Sequence, residues 1–236
     1  MPPAVVRGVL LLAGWVSCAA TADVLYSPTV EEGEKAVEWR STVKAGGAEE
    51  HKLELELSPT AWWRAALLGT VDRDPGSPRQ VGEVSFENIF SLNPQGRDFL
   101  DLGLLAEVSH KLRDGRAFEA ELGLLAEHAT ARTVTTVNLA AERELTGGAE
   151  TELTMAARWR YRLGARLEPG FEYHAELGAV GHLGSPRAQR HSVGPAVLGR
   201  IPVGRETLRY EAAWVWGLTA GSPAQSVRLQ LEWEFH

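Results

Sequence analysis

The chain ends on SVRLQLEWEFH, Ser226 to His236, and the reading of that stretch decides the fold. Val227, Leu229, Leu231, Trp233 and Phe235 take every second position, with Arg228, Gln230, Glu232 and Glu234 between them. Side chains of an extended strand alternate between its two faces, so this is a strand with one apolar and one polar face. A helix would scatter the same residues around its surface.

The pattern continues upstream. Leu208, Tyr210, Ala212, Trp214, Trp216 and Leu218 alternate with Arg209, Glu211, Ala213, Val215 and Gly217. Phe171, Tyr173, Ala175 and Leu177 alternate with Glu172, His174 and Glu176, and Leu153 to Tyr161 alternates with Glu152, Thr154, Arg158, Arg160 and Arg162. Leu102–Glu107 and Leu122–Glu127 both read LGLLAE, as a duplicated hairpin would. Val37, Trp39 and Val43 stand against Glu38, Arg40, Thr42 and Lys44, and Leu53, Leu55 and Leu57 against Lys52, Glu54 and Glu56. Asn88 breaks the apolar face of its strand, and Pro195 and Pro202 weaken the stretch 192–203, because proline cannot donate to the ladder. Asp72–Pro78 is expected to be the longest loop. About twelve strands follow, an even number as up-and-down closure requires.

The chain has 236 residues, a net charge of −7, 23% charged residues and one cysteine, which argue against disorder and strong nucleic-acid binding. Arg7, the apolar run 8–16 and Ala20-Thr21-Ala22 read as a signal peptide 1–22 with the mature start at Asp23; lipidation at Cys18 is the rival. After cleavage no cysteine is left for disulfide or thiol chemistry. Residues 23–34, with Pro28 and no alternation, read as a periplasmic lead-in, and 35–236 as one β-domain.

A soluble sandwich alternates too. Long strands, aromatics near strand ends (Trp39, Trp62, Trp63, Phe90, Trp159, Tyr161, Tyr210, Trp233, Phe235) and a densely charged opposite face favour a barrel whose apolar side meets lipid. The fold expected is an all-β, antiparallel up-and-down transmembrane barrel in a Gram-negative outer membrane, its terminal strand serving the barrel-assembly machinery. His236 after the aromatic departs from the usual ending of such barrels.

The polar face then lines a lumen. Its candidates are Glu38, Arg40, Asp101, Glu107, Glu119, Glu121, Glu127, Arg158, Arg160, Arg162, Glu172, His174, Glu176, Arg209, Glu211, Arg228, Glu232 and Glu234. Stripes of opposite charge across a narrow lumen make a transverse field in a pore for small polar solutes, or pair into a network that fills a structural barrel. A soluble periplasmic barrel binding a small ligand is the third reading and an outer-membrane hydrolase the fourth. Glu172-x-His174-x-Glu176 puts three ligand types on one face, but in line on one strand they stand too far apart to hold one metal unaided. No catalytic constellation, cofactor motif or phosphate loop is present, so neither an enzyme nor a cofactor is expected.

Several stretches resemble a family of uncharacterised proteobacterial outer-membrane barrel proteins: Tyr26–Glu34 (YSPTVEEGE), Phe86–Phe90 (FENIF), His191–Gly199 (HSVGPAVLG), Leu208–Glu211 (LRYE), Gly217–Pro223 (GLTAGSP) and the closing Leu231–His236 (LEWEFH). The resemblance spans most of the chain beyond the signal, accounts for the His236 ending, and implies fold and location without an activity.

Overall fold

The computed structural model describes residues 24–113 and 117–235. The expected signal peptide, Cys18, Asp23 and His236 lie outside the described residues.

Twelve strands form one closed sheet among these residues. They are β1 (Lys35–Lys44), β2 (Glu49–Thr60), β3 (Trp63–Arg73), β4 (Gln80–Ser91), β5 (Asp101–Lys111), β6 (Phe118–Ala129), β7 (Thr133–Glu144), β8 (Thr151–Tyr161), β9 (Glu168–Ala179), β10 (Arg190–Val203), β11 (Glu206–Gly217) and β12 (Gln225–Phe235). Each pairs antiparallel with the next, and β1 closes on β12 from Lys35 opposite Phe235 to Lys44 opposite Ser226. The alternating C-terminal stretch is therefore the seam strand. One closed sheet leaves no second sheet to cover the apolar face, which removes the sandwich alternative.

That face points outward. Leu53, Leu55, Leu67, Phe86, Leu122, Leu124 and Leu229 are all exposed, Leu122 by 67%. Covering such a side chain is worth about 1.5–3 kcal/mol, and a continuous apolar belt of this kind belongs against hydrocarbon. Strands of 10 to 14 residues suit that span.

Aromatics gather at the end that carries Lys35 and Phe235, the termini end: Trp62, Trp63, Phe90, Trp159, Tyr161, Tyr210 and Trp233. Trp62, in the β2–β3 turn, stacks on Phe90. Asn88 loses its anomaly there: its Oδ1 accepts the Trp63 indole N–H at 3.1 Å on the outer face. His51, His110 and His128 are half-buried; the first two stack on Trp39 and Phe118, and His128 lies tilted against Phe99.

Other departures have local causes. The connection 180–189 between β9 and β10 outgrows 74–79, because β3 runs on through Arg73. β10 forms despite its prolines. It pairs with β9 through Gly194 and Pro195, but its ladder to β11 lapses between Val193 and Ala196, where Pro195 has no N–H to give. A side chain on Gly194 would run into the Trp214 carbonyl, so this close approach requires glycine.

The segment ahead of β1 lies inside the barrel. Its residues line up along the inner wall. Leu25 and Val30 are both buried, and Val30 packs on Ile89 (β4), Leu105 (β5) and Leu125 (β6). These three apolar residues stand on the otherwise polar faces of their strands. Leu105 and Leu125 are the same position of the repeated LGLLAE, and the Gly two residues before each leaves room beside it.

Candidate functional site

The lumen wall has two contrasting parts. From β8 round to β3 most of its charges are paired. Arg158 on β8 reaches Glu172 on β9 at 3.4 Å and bonds Glu211 on β11. Arg228 on β12 holds the other Glu172 oxygen at 2.7 Å, and His174 Nε2 lies 3.2 Å from that oxygen. Glu172 is 1% exposed, so these partners are what allow it to stay charged indoors. Arg40 bonds Glu38 and Glu54, and Gln230 donates to Glu38 at 2.6 Å. Arg64 holds Glu56 at 3.1 Å, Arg160 holds Glu168 at 3.2 Å, and Arg209 bonds Glu234.

This wall gathers Glu38, Arg40, Arg158, Arg160, Glu172, His174, Arg209, Glu211, Arg228 and Glu234, with Glu232 close by. Glu176 sits toward the opposite end of the barrel, the loop end, bonded to Arg190 at 2.9 Å. Asp101 instead accepts the Gly96 N–H at 2.7 Å and ties down the β4–β5 connection. Glu127 accepts the Thr136 hydroxyl at 2.8 Å, and Glu119 pairs with Lys111 at 2.9 Å. Arg162 is a correction. It lies past the end of β8 and donates to the Thr130 carbonyl at 2.8 Å, outside the lumen wall.

Guanidinium groups occupy the oxygens a metal would need at Glu172 and Glu176. The same holds for the two carboxylate trios whose oxygens come within 4.8 Å of one another, Glu34/Glu232/Glu234 and Glu38/Glu56/Glu232, where Arg209, Arg40 and Arg64 supply the countercharge.

The other part of the wall, β3 to β7, receives the N-terminal segment. Asn138 on β7 clamps Tyr26 from both sides of its peptide: Oδ1 accepts the Tyr26 N–H at 2.8 Å and Nδ2 donates to the Tyr26 carbonyl at 3.0 Å. The Arg40 guanidinium stands 5.3 Å from the centre of the Tyr26 ring, cation over π face. Pro28 lies on Gly103, where an added Cβ would come within 2.9 Å of it. Gly33 N–H donates to the Ser58 carbonyl at 2.8 Å and Ser58 N–H to the Glu34 carbonyl at 2.9 Å, which fastens the segment as it leaves for β1.

One cavity of about 40 Å³ lies at the loop end among His174, Glu176, Arg190, His191 and Ser226. Another of about 20 Å³ lies beside Val24 among Arg40, Glu50, Glu211 and Arg228. Each holds at most a few waters.

The sequence reading missed Tyr26, Ile89, Leu105, Leu125 and Asn138, the residues that seat the segment. The signal was there for the three aliphatics: each is an apolar residue on a face otherwise meant for water.

No family model and no curated protein matches the chain. Solved structures do. The NanC porin superposes with a TM-score of 0.59 at 10% identity, over 85% of this chain and 99% of that one. The KdgM porin in complex with disordered oligogalacturonate gives 0.55 at 7% identity, over 85% and 98%. A second KdgM porin structure gives 0.54 at 8% identity, over 85% and 98%. The barrel shares its fold with these porins.

Proposed function

We propose that the chain is an outer-membrane channel for small polar solutes, narrowed in this conformation by its own residues 24–34. The observation that carries the reading is the division of the wall: a lipid-ready outer face and a lumen lined by ionisable groups along its whole height. A purely structural barrel has no need to keep charges such as Arg158, Arg228 and Arg40 facing inward at the cost of their desolvation. One of the porins that share the fold holds an oligogalacturonate, which suits a lumen that solutes enter.

The setting follows from the same reading. The chain is exported to a Gram-negative outer membrane through removal of residues 1–22. β12 is the strand offered to the barrel-assembly machinery, and the wall carries no catalytic role. The resemblance to proteobacterial outer-membrane barrel proteins fits this location.

A second reading has its own support. The docked Tyr26, Pro28 and Val30 and the bonded arginines also describe a plugged barrel that serves as a scaffold. Reconstitution of the full chain in a planar bilayer separates the two. The channel reading expects discrete conductance steps, smaller than those of open porins; a silent membrane containing inserted, heat-modifiable protein would establish the scaffold.

A further inference from the structure

We propose that the solutes this lumen admits are cations, led inward by a staircase of carboxylates. The proposal rests on the channel reading and names its substrate class.

The strand register builds the staircase. Glu87 on β4 lies opposite Glu107 on β5, Glu107 opposite Glu121 on β6, Glu121 opposite Glu142 on β7, and Glu142 opposite Glu152 on β8. Hydrogen-bonded strands stand about 4.8 Å apart, so each step is one strand spacing. Strands of a closed barrel tilt, so a row taken straight across them climbs as it circles. This one starts at Glu87, within β4, passes Glu107 in mid-β5, and ends at Glu142 and Glu152, close to the loop-end limits of β7 and β8. It runs from the loop-end mouth to the middle of the lumen.

Two observations set this row apart from the other lumen acids. The first is the absence of countercharge. No described lysine or arginine pairs with Glu107, Glu121, Glu142 or Glu152; the nearest lysines, Lys52 and Lys111, pair with Glu50 at 3.7 Å and Glu119 at 2.9 Å. The second is Glu87 at the inner end. It is 1% exposed, neither of its oxygens accepts a hydrogen bond, and Arg64 approaches no closer than 3.9 Å. A buried carboxylate without close donors is costly, and a cation arriving from the staircase would be a closer partner than Arg64. Carboxyls one strand apart resist ionising together, and a cation among them relieves that repulsion, so the row favours a positive solute over a negative one. The arginines of the paired wall across the lumen are held by its own glutamates and do not cancel this.

The test is the reversal potential of the full chain in a planar bilayer under a KCl gradient. The expected result is a K⁺ over Cl⁻ permeability ratio of about ten. The triple variant Glu107→Gln, Glu121→Gln, Glu142→Gln should bring the ratio near one, its folding checked by the heat-modifiable gel shift. Current without cation preference in the unmodified chain overturns this proposal and leaves the channel reading standing. If no current appears, the channel reading falls, and calorimetric titration of the detergent-solubilised chain with Ca²⁺ decides the staircase alone. About tenfold weaker binding in the triple variant than in the parent supports it; equal binding overturns it.

Discussion

The two sides of the lumen use the same alternation to opposite ends. The β8–β12 side is finished by itself: Arg158, Arg228, Glu172 and Glu211 neutralise one another across four strands. The β4–β7 side is incomplete without something else. Its apolar patch at Ile89, Leu105 and Leu125 is covered by Val30 and Tyr26, and Glu107, Glu121 and Glu142 have no ion pair to a described basic residue, the nearby Lys111 being held by Glu119. A strand's polar face is thus not one kind of surface. What it needs depends on whether its neighbours bring the opposite charge.

The comparison breaks most visibly on the paired side. Arg228→Leu removes one cation from a buried cluster and strands Glu172. The expected loss is about 3–5 kcal/mol, read as a lower urea midpoint in folding into bilayers. A change under 1 kcal/mol would mean that the charges on this side are not mutually dependent.

On the incomplete side, Leu125→Ala is expected to cost about 2–3 kcal/mol and to loosen the segment. Limited proteolysis should then cut within residues 24–34 faster than in the parent. The outward neighbour Leu124→Ala should leave that cleavage unchanged, since its side chain meets lipid.

A smaller effect should appear with pH. Glu34, just ahead of β1, has its carboxyl raised from 4.5 to about 7 by burial, with Arg209 opposing and Glu234 and Glu31 adding to the rise. A carboxyl that is harder to ionise when docked favours the docked state while protonated. That contribution is full below about 4.5 and is lost as pH climbs through 7. Protection of residues 24–34 from protease should therefore weaken between pH 5 and pH 8, and Glu34→Gln should flatten the profile.

The smallest change tests the outer face. Trp63→Phe removes the indole N–H that Asn88 accepts and should cost about 0.5–1.5 kcal/mol, without effect on conductance.

The barrel was legible because period-two alternation reports directly on which side a residue faces, and the closing strand from Val227 to Phe235 shows it without a break. The charged lining followed from the same rule, and Arg162 was misplaced only because the strand stops one residue short of it. The pairing of those charges was not legible. Arg158 meets Glu211 because the wall curves, and curvature leaves no mark on a single strand. The docked segment escaped for another reason. Residues 24–34 have no periodicity, since they contact the wall through a clamp at Tyr26, a glycine-sized recess for Pro28 and one aliphatic patch for Val30. Their receptor was visible only as three misplaced aliphatics spread over Ile89, Leu105 and Leu125.

The central claim is that residues 24–34 limit a lumen that otherwise conducts. Single-channel recording of the full chain beside its Val30→Asp variant tests it most directly, because the substitution drives a charge into the Ile89–Leu105–Leu125 patch and leaves the wall unaltered. The variant is predicted to show larger or longer-lived conductance steps than the parent. Identical steps from two equally well-inserted proteins would contradict the claim.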